Sequence, residues 1–587
     1  IPADTVHVAE DERLGDHNPE AVAAALAEIV RQEQPPVFLL AATAVGNEIA
    51  TRLAASLGTG LASGCLRIDT IADGLLAMLR PVYGGRASCT VVCRTLRPQI
   101  ATLLPDALSA GGGGQTPEPE VRTHTLRLEG FRQGRFVRRI ERPPPASLDV
   151  TQAEVVVAGG RGVGGVEGFQ FLEELAGLLG GAVAASRPAV DAGWAASSRQ
   201  IGSSGKVVAP QLYIACGISG ATQHVFGMRE SEAVVTINQD AYAPITEMAQ
   251  LALVGNVHEV LPPLLERLRQ LPRPPAFEEF DSPLPPAPDG GAGDESVSTI
   301  AVCLSRSLDA EVRFDARNPE EMAAVPRVMG PADLHALEEA LILKDRIPSL
   351  RVVALHAGPP VGEDVLRQAL AHGADDAVLL WDEAFVGSDS LATARVLAAA
   401  VRRLEAQMVL CGSRGADGSS GQLPLQLGEL LGATAMSEVL SLSLSGGGIV
   451  VANKRLEWGK QAMVDCLLPA VLAVEPAINR PRYPKLRDLL AASHRPVSRW
   501  DRAELGLAED EVGAAGSGVE VTRVGPPKPV TKRAQPSSSQ GAAWQQPMGG
   551  GGSSRDEKVV QGSPDELAER CFRFLLERGF VEEDGNA

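Results

Sequence analysis

Short apolar runs alternate along this chain with amphipathic segments of helical period. The run "EVVVAGG" is followed by "VEGFQFLEELAGLLGG", and further on "RVVALHAG" is followed by "GEDVLRQALAHG". Runs of this length are typical of buried strands, and the segments after them repeat their apolar positions every three or four residues. The alternation predicts βαβ units and therefore parallel sheets.

Two distant stretches share one pattern. Residues 35–63, "PPVFLLAATAVGNEIATRLAASLGTGLAS", parallel residues 406–437, "AQMVLCGSRGADGSSGQLPLQLGELLGATAMS". Each contains an apolar strand, a loop of small residues, a helix, a Leu-Gly pair and a returning strand. We therefore expect the first and third domains to have similar folds that face each other.

Proline-rich and glycine-rich breaks divide the chain. The predicted parts are an α/β domain (1–142), a middle α/β domain (152–272), a Pro-rich linker (273–297), a third α/β domain (298–510), a disordered linker (526–555) and a C-terminal helical segment (556–587). In the last segment Ser563 is a helix cap, Pro564 suits the first turn and Gly579 ends the helix. The fold class is thus α/β, with three parallel-sheet domains.

Composition narrows the functional classes. The net charge is −19 and no basic stripe interleaved with aromatic residues occurs, so nucleic acid is not an expected partner. No run of 18 apolar residues is present, so we expect no membrane-embedded part. The eight cysteines include no CxxC, and Cys89 and Cys93 of "CTVVC" are more typical of buried thiols than of metal ligands. A reduced, intracellular protein is expected, although Ile1 in place of Met leaves room for a removed leader peptide.

Five loops between Glu154 and Asn256 share a polar signature at predicted strand ends. They contain Gly159–Arg161, Ser186–Arg187, Ser203–Ser204, Ser219–His224 and Asn238. Bare glycine amides and arginine suit phosphate, but Gly159–Arg161 alone is equally compatible with a structural turn, and Arg187 with a surface ion pair. Because the carboxyl ends of parallel strands share one edge of a sheet, we expect a long, flat, phosphate-bearing ligand there. No Ser-His-Asp arrangement, paired acids or metal cluster is evident, so we predict a binding site with no catalytic residue and no metal.

A resemblance to a known family gives this ligand an identity. The stretches "SRPAVDAG", "QIGSSGKVVAPQLYIACGISGATQHVFGM" and "VTINQD" resemble the FAD signature of the electron transfer flavoprotein alpha subunit. The middle domain is therefore expected to be a flavodoxin- or Rossmann-like FAD-binding domain. Residues 298–507, with "GPADLHALEEALILKD" and "GSRGADGSSGQ", resemble the beta subunit. The chain looks like an alpha–beta fusion whose first domain matches the alpha N-terminal domain from its middle onward.

The resemblance implies a set of FAD-binding residues. They are Arg161, Ser186, Arg187, Ile201, Gly202, Ser203, Ser204, Ser219, Gly220, Ala221, Thr222, Gln223, His224, Asn238, Asn256 and Val257. Arg187 would lie over the isoalloxazine ring, where its charge favours the reduced, anionic flavin. Ser204 would donate to flavin N5, where the family usually has Thr, and His224 would lie by the O2 edge beside Gln223. Asn256 occupies a position where the family commonly has Asp, which would alter the contact of this residue with FAD.

The beta-type domain implies a second nucleotide, either AMP or a second FAD. The residues expected to line its pocket are Cys303, Ala357, Gly412, Asp417, Gly418 and Gln422. The loop "GSRGADGSSGQLP" lacks the consecutive acids and the Asn-Gln-Thr-Gly of the AMP-binding type, which favours a second FAD. The segment Ser305–Asp309 departs from the Lys-Gln-Val-Pro-Asp of the two-FAD type, so the alternative stays open.

The resemblance also implies partners. The loop "NRPRYPKL" resembles the segment that docks dehydrogenases, with Asn479, Arg482, Tyr483 and Leu486 as its implied contacts; an ordinary proline-rich surface loop is the alternative. The expected function is electron transfer by FAD from flavin dehydrogenases, such as the acyl-CoA dehydrogenases of fatty acid β-oxidation, to a quinone oxidoreductase. An electron-bifurcating flavoprotein with two FAD that oxidises NADH is the alternative, and enzymatic activity is expected only in that case. The compartment would be the bacterial cytoplasm or the mitochondrial matrix.

Overall fold

The computed structural model describes most of the chain in two compact units. The described residues are 3–15, 18–83, 86–104, 119–128, 131–141, 148–151, 153–202, 205–271, 277–279, 297–309, 312, 321, 324–415, 417–418, 420–525 and 558–581. Unit 1 comprises Ile1–Arg139, Phe280–Arg455 and Ala462–Pro536, and unit 2 comprises Ile140–Glu279, Leu456–Gln461 and Ser537–Ala587. The predicted linker 526–555 lies outside the described residues, as does most of 273–297. None of the described helices is both long and apolar enough to cross a membrane.

The N-terminal segment of unit 1 begins helices at clear caps. Its elements are β1 (Thr5–Ala9), α1 (Pro19–Glu33), β2 (Val37–Ala41), α2 (Ala44–Leu57), β3 (Leu61–Cys65), β4 (Arg67–Thr70), β5 (Leu76–Val82), β6 (Ala87–Val92), β7 (Gln99–Leu103), β8 (Glu120–His124) and β9 (Arg135–Glu141). Asn18 caps α1 and Thr43 caps α2, each side chain accepting a hydrogen bond from a backbone amide of the first turn. Strands β2, β7 and β3 form a parallel sheet, while β4, β5 and β6 are antiparallel.

The chain then enters unit 2. Its elements there are β10 (Val155–Gly159), α3 (Val166–Leu178), β11 (Ala182–Ala185), α4 (Arg187–Asp191), β12 (Leu212–Cys216), α5 (Thr222–Phe226), β13 (Ala233–Asn238), β14 (Leu251–Val254), α6 (Val257–Gln270) and β15 (Phe277–Glu279). The main sheet has the order β11-β10-β12-β13-β14, and every neighbouring pair is parallel. This is the flavodoxin-like order 2-1-3-4-5, which places its switch point between β10 and β12.

Both faces of this sheet are covered, as the continuous apolar runs predict. Val155 and Val157 pack in a core with α3 and α6, whereas Val156 and Ala158 pack in a second core on the opposite face with Tyr213. The alternation follows from the period of two along a strand.

The remaining elements return to unit 1 and end in unit 2. They are β16 (Thr299–Cys303), β17 (Arg306–Leu308), β18 (Arg327–Met329), α7 (Pro331–Arg346), β19 (Arg351–Ala357), α8 (Glu363–His372), β20 (Asp376–Leu380), α9 (Ser390–Arg403), β21 (Met408–Gly412), α10 (Leu423–Leu431), β22 (Thr434–Leu444), β23 (Ile449–Arg455), β24 (Gln461–Leu467), β25 (Ala470–Val474), α11 (Leu486–Ala492), β26 (Ser498–Trp500), α12 (Gly513–Gly516), β27 (Glu520–Gly525), β28 (Val559–Gln561) and α13 (Pro564–Glu577). In unit 1, strands β25-β21-β16-β19-β20-β26 form a parallel series, and β22 and β23 are antiparallel. The prediction of an α/β chain with several largely parallel sheets is confirmed.

The C-terminal helix forms where its sequence signals predict. Ser563 caps α13 in a capping box with Glu566, and Pro564 occupies the first turn. The apolar side of the helix, including Leu567 and Leu575, is buried in the core that contains α6, and β28 pairs in parallel with β14. These elements therefore extend the sheet of unit 2.

The two similar stretches of the sequence have matching structures that pack on each other within unit 1. Strand β2, helix α2 and strand β3 correspond to β21, α10 and β22, and α2 contacts α10. Arg52 of α2 donates a hydrogen bond to the carbonyl of Ala435, and Gln422 donates to Ser63 Oγ at 2.9 Å. The predicted facing arrangement is therefore present.

A buried ionic cluster joins these segments. Glu48 of α2 accepts hydrogen bonds from Arg135 at 2.7 Å and Lys454 at 2.5 Å, and it also pairs with Arg52. Burial opposes ionisation of Glu48, but the three cations outweigh it and lower the pKa of this carboxyl well below its ordinary value. Removing one partner would leave an uncompensated buried charge, so the cluster holds these segments in one arrangement.

Candidate functional site

Four of the five predicted ligand loops, those that contain Gly159–Arg161, Ser186–Arg187, Ser219–His224 and Asn238, meet at one edge of the sheet in unit 2. Because its strands are parallel, the loops after β11, β10, β12, β13 and β14 all emerge on the same side. Backbone hydrogen bonds connect them in turn: Ser186 N to Gly159 O at 2.9 Å, Gly160 N to Cys216 O at 2.8 Å, Gly217 N to Ile237 O at 2.9 Å, and Gly255 N to Asn238 O at 3.0 Å. The loops thus form one continuous platform.

Glycines allow the first two loops of the switch point to touch. A Cβ on Gly160 would lie 2.3 Å from the carbonyl oxygen of Gly217, and a Cβ on Gly162 would lie 2.8 Å from the Cα of Gly217. Gly217 itself has φ +61°, which only glycine adopts without strain. The glycines of "VVVAGGRGVGG" and "ACGISG" are therefore required for the close approach of the two loops.

The structure separates the predicted residues by exposure. Those exposed at the edge are Arg161, Arg187, Ser219, Ala221, Thr222 and Gln223, and those buried beneath it are Ser186, Ile201, Gly202, Gly220, His224 and Val257. Asn238 and Asn256 are half-buried. Ser203 and Ser204 lie outside the described residues, so the predicted donor to flavin N5 stays a prediction.

Arg187 begins the short helix α4 and extends into solvent. Its Nε lies 3.5 Å from Asp191 Oδ2, one helical turn later, and the two side chains are 69% and 65% exposed. An exposed pair of this kind contributes little free energy. The guanidinium is therefore held loosely and can turn towards an anionic or aromatic ligand at low energetic cost.

Among the described residues of this edge, His224 is a buried polar group with a nitrogen that makes no hydrogen bond. Its Nε2 lies 2.9 Å from the Tyr213 hydroxyl, whereas Nδ1 has no hydrogen-bond partner among the described residues. Burial lowers the pKa of His224 to about 4, and a polar contact with the Ile201 backbone, which falls outside hydrogen-bond geometry, offsets part of that shift. The ring is thus neutral at pH 7, and its Nδ1 lacks a well-formed hydrogen bond, which a bound ligand would supply.

The two asparagines support the loops. Asn238 Nδ2 donates to Ile218 O at 2.7 Å, and its Oδ1 accepts from Asp240 N at 3.1 Å. Asn256 caps α6 by accepting from His258 N at 3.1 Å, a role that asparagine fills as well as aspartate does. The difference from the family at this position therefore preserves the local fold.

A second candidate site is a cavity of about 480 Å³ in unit 1. It lies at the carboxyl ends of β16, β19 and β21, and all six residues predicted for a second nucleotide line it, namely Cys303, Ala357, Gly412, Asp417, Gly418 and Gln422. The structure brings these residues together from three separate segments of sequence.

Most polar groups of this cavity have partners within the protein. Asp333 of α7 accepts from Ser305 N at 2.8 Å and from Gly412 N at 3.0 Å, and burial raises the pKa of its carboxyl. His356 Nδ1 lies 2.9 Å from Leu304 O, and burial lowers the pKa of this histidine. Ser307 Oγ differs, because it is buried and has no hydrogen-bond partner in the part of the chain that the structure describes. A ligand hydroxyl or phosphate would satisfy it.

The N-terminal segment supports the lining loop of this cavity. Arg80 donates to Gly418 O at 2.9 Å, and Tyr83 N donates to Asp417 O at 2.9 Å. Gln422 is 2% exposed, and its amide is bound by Ser390 and Ser63 rather than directed at a ligand. Gln422 therefore supports the cavity wall.

The predicted docking loop has two anchors and two exposed residues. Asn479 donates to Glu339 at 2.9 Å and Arg482 donates to Glu338 at 3.0 Å, which fixes the loop on α7. Tyr483 is 96% exposed and Leu486 is 72% exposed. A partner protein that covers these two side chains would remove apolar surface from water, which favours binding.

Sequence reasoning did not identify some residues that shape the two sites. Tyr213 lies in the apolar run "LYIAC", where a buried hydroxyl signals a hidden partner, but the sequence does not show that the partner is His224. Asp333 and Ser307 lie in segments whose role depends on contacts with distant strands.

Comparison with known proteins agrees with this organisation. The model of the electron transfer flavoprotein FAD-binding domain matches residues 149–229, and that of the electron transfer flavoprotein domain matches both 2–127 and 322–505. The electron transfer flavoprotein subunit alpha of Thermoanaerobacterium thermosaccharolyticum is 38% identical over 269 residues, which are 46% of this chain and 82% of the relative. That of Bacillus subtilis is 38% identical over 270 residues, 46% of this chain and 82% of the relative. Protein FixB of Azorhizobium caulinodans is 40% identical over 271 residues, 46% of this chain and 73% of the relative.

The alpha-type relatives cover the N-terminal 46% of the chain, and the same domain model that matches its start matches again after residue 321. A parallel five-stranded platform with glycine-built loops lies between these two matches along the sequence. The chain therefore belongs to the electron transfer flavoprotein family and combines an alpha-type FAD-binding domain with electron transfer flavoprotein domains on both sides of it in the sequence.

Proposed function

We propose that this protein carries electrons from flavin dehydrogenases, such as acyl-CoA dehydrogenases, to a quinone oxidoreductase or another acceptor through FAD bound at the edge of unit 2. The observation that carries the proposal is the unsatisfied Nδ1 of His224, buried beneath a platform of glycine loops. An apolar ligand would leave this nitrogen unpaired, whereas a carbonyl oxygen of a flavin ring would accept a hydrogen bond from it.

The residues present fit FAD. Arg187 and Arg161 supply exposed cations, and the glycine loops leave room for backbone amides to approach a diphosphate. When bound, FAD supplies a redox centre that takes up electrons in pairs and releases them singly. The protein's part is to orient the ring through the Tyr213–His224 pair and to place positive charge beside it, which favours the reduced form.

The cavity of unit 1 is proposed to hold a second nucleotide. Its unsatisfied Ser307 hydroxyl favours a polar ligand, and Arg306 and Arg327, which pair with Asp364 and Asp417 in its lining, would favour a phosphate-bearing one. Two arginines suit a diphosphate, so we favour a second FAD over AMP. In that case NADH oxidation with electron bifurcation is the second candidate function.

The first experiment counts nucleotides. Acid release from the purified chain, followed by chromatography, should give two FAD and no AMP per chain. One FAD with one AMP would contradict the second FAD and leave the carrier function standing, while absence of FAD would overturn the main proposal. Addition of NADH under anaerobic conditions then separates the two functions, because only the bifurcating type should lose its flavin absorbance.

A second experiment tests the dehydrogenase partner. We expect Leu486→Ala to lower kcat/KM for reduction by an acyl-CoA dehydrogenase about tenfold, since an exposed apolar anchor buried on docking contributes on the order of 1.5 kcal/mol. Val121→Ala is the matched control, because Val121 is 63% exposed on another part of unit 1. Equal rates for wild type and Leu486→Ala would remove the docking role from this loop.

A further inference from the structure

Three side chains that can ligate a metal come together on unit 1 from distant parts of the sequence, and none of them belongs to either site described above. Strands β1 and β8 pair in parallel, with His7 opposite Arg122 and Ala9 opposite His124. Helix α1 ends beside them at Glu33. This pairing brings two imidazoles and one carboxylate together.

The ligand atoms of these side chains point at each other. His7 Nδ1 lies 2.8 Å from His124 Nε2, and Glu33 Oε1 lies 4.0 Å from the first nitrogen and 3.9 Å from the second. In the residues that the structure describes, this is the one group of three such side chains with ligand atoms within 4.8 Å of one another.

Neighbouring residues orient two of the three ligands. His124 Nδ1 lies 3.2 Å from Gln32 Oε1, which can only accept, so Nδ1 carries the proton and Nε2 keeps its lone pair. Arg122 lies 3.5 Å from Glu33 Oε2 and leaves Oε1 directed at the imidazoles. Outer partners of this kind fix the tautomer and orientation of metal ligands.

We propose that His7, Glu33 and His124 bind a divalent first-row transition metal of the Zn²⁺ type, with water completing the coordination. Two imidazoles and a carboxylate are ligands that Zn²⁺ accepts, whereas Ca²⁺ and Mg²⁺ prefer oxygen alone. Ligands about 2.1 Å from a tetrahedral ion lie about 3.4 Å apart, so each side chain has to move by only a few tenths of an ångström. The metal replaces the proton shared by the two imidazoles and fastens β1 and β8 to the end of α1.

Zinc uptake by the full-length chain tests this proposal. After chelation and dialysis, wild type is titrated with ZnCl₂ and bound metal is measured by equilibrium dialysis. We expect one site per chain that weakens at least tenfold in His124→Ala, in His7→Ala and in Glu33→Gln. His494→Ala is the matched control, because His494 is an exposed histidine of unit 1 outside the cluster and its loss should change nothing.

Two readouts separate a metal site from a structural role. Zinc should raise the thermal midpoint of wild type but not that of Glu33→Gln, while the two midpoints agree in EDTA. X-ray absorption at the zinc edge should show two imidazole nitrogens. Equal uptake by wild type and the His7→Ala, His124→Ala double variant, no stoichiometric uptake by wild type, or sulfur ligands from cysteines would each overturn the proposal.

Discussion

The platform of unit 2 and the cavity of unit 1 both lie at the carboxyl ends of parallel strands, but they treat their polar groups differently. On the platform, Arg187 is exposed with a loose ion pair, and His224 is left with an unsatisfied nitrogen. In the cavity, Asp333 and Gln422 are buried and hydrogen-bonded within the protein, and Ser307 is the lining residue left unsatisfied among those that the structure describes. The polar groups of the platform are therefore free to contact a ligand. Most polar groups of the cavity instead form hydrogen bonds within the protein that stabilise the cavity walls.

Because the two sites are built differently, substitutions at different places in the chain should affect them. Loop-to-loop contacts within one continuous stretch of sequence build the platform, so a small change in one loop should act on it directly. Long-range contacts such as Arg80 to Gly418 maintain the cavity, so distant residues should act on it.

The largest effect is expected from Gly160→Ala. Its Cβ would lie 2.3 Å from the Gly217 carbonyl oxygen, so the two loops must separate. Overpacking of this kind costs about 3 kcal/mol, and we expect FAD affinity to fall about hundredfold, measured by equilibrium dialysis. Gly525→Ala at the end of β27 is the matched control, because a Cβ there meets nothing within 4 Å and Gly525 belongs to neither nucleotide site. If Gly160→Ala binds FAD as wild type does, the glycine platform is not the FAD site.

The same contrast explains what could be predicted from the sequence. The platform was predictable because each loop directly follows an apolar run, so that finding the strand ends of "EVVVAGG" and "LYIACG" also finds the loops. The parallel order then places them at one edge. The six cavity residues were named through family resemblance, and all six line one cavity of the structure, while their nucleotide role stays a prediction.

Contacts between remote segments could not be predicted. The Tyr213–His224 hydrogen bond, the support of Gly418 by Arg80, and the meeting of His7 with His124 depend on how helices and strands pack, not on local pattern. Periodicity specifies which side of an element is buried, but it does not specify which distant element covers that side.

An intermediate effect is expected from Arg80→Gln. The substitution removes a charged donor from Gly418 O and from Ser63 O, contacts of 2.9 and 3.2 Å. A hydrogen bond to a charged group contributes about 2 kcal/mol, so the affinity of the cavity for its nucleotide should fall about thirtyfold while FAD on the platform is retained. Dialysis against AMP and FAD separately measures both.

Arg67→Gln serves as the control for Arg80→Gln, because Arg67 is an exposed arginine on the neighbouring strand β4 that pairs only locally with Asp69. Unchanged nucleotide affinity in Arg80→Gln would show that the cavity wall does not depend on the N-terminal segment. Loss of FAD from the platform as well would show that the two sites are not independent.

The smallest effect concerns pH and the neutral His224. Its pKa is about 4 in the folded protein against an ordinary value of 6.5, so below pH 6.5 the unfolded chain binds a proton that the folded chain does not. Stability should therefore be unaffected above pH 7 and decline as the pH falls towards 4, by about 1.5 kcal/mol at pH 5.5.

Thermal midpoints of wild type and His224→Gln, measured at pH 7.5 and 5.5, isolate this contribution. The midpoint of wild type should fall further than that of the variant, because glutamine does not titrate. An equal fall in both would mean that burial does not keep the imidazole neutral. The difference between the platform, whose polar groups are free for a ligand, and the cavity, whose polar groups bond within the protein, would then rest on Arg187 alone.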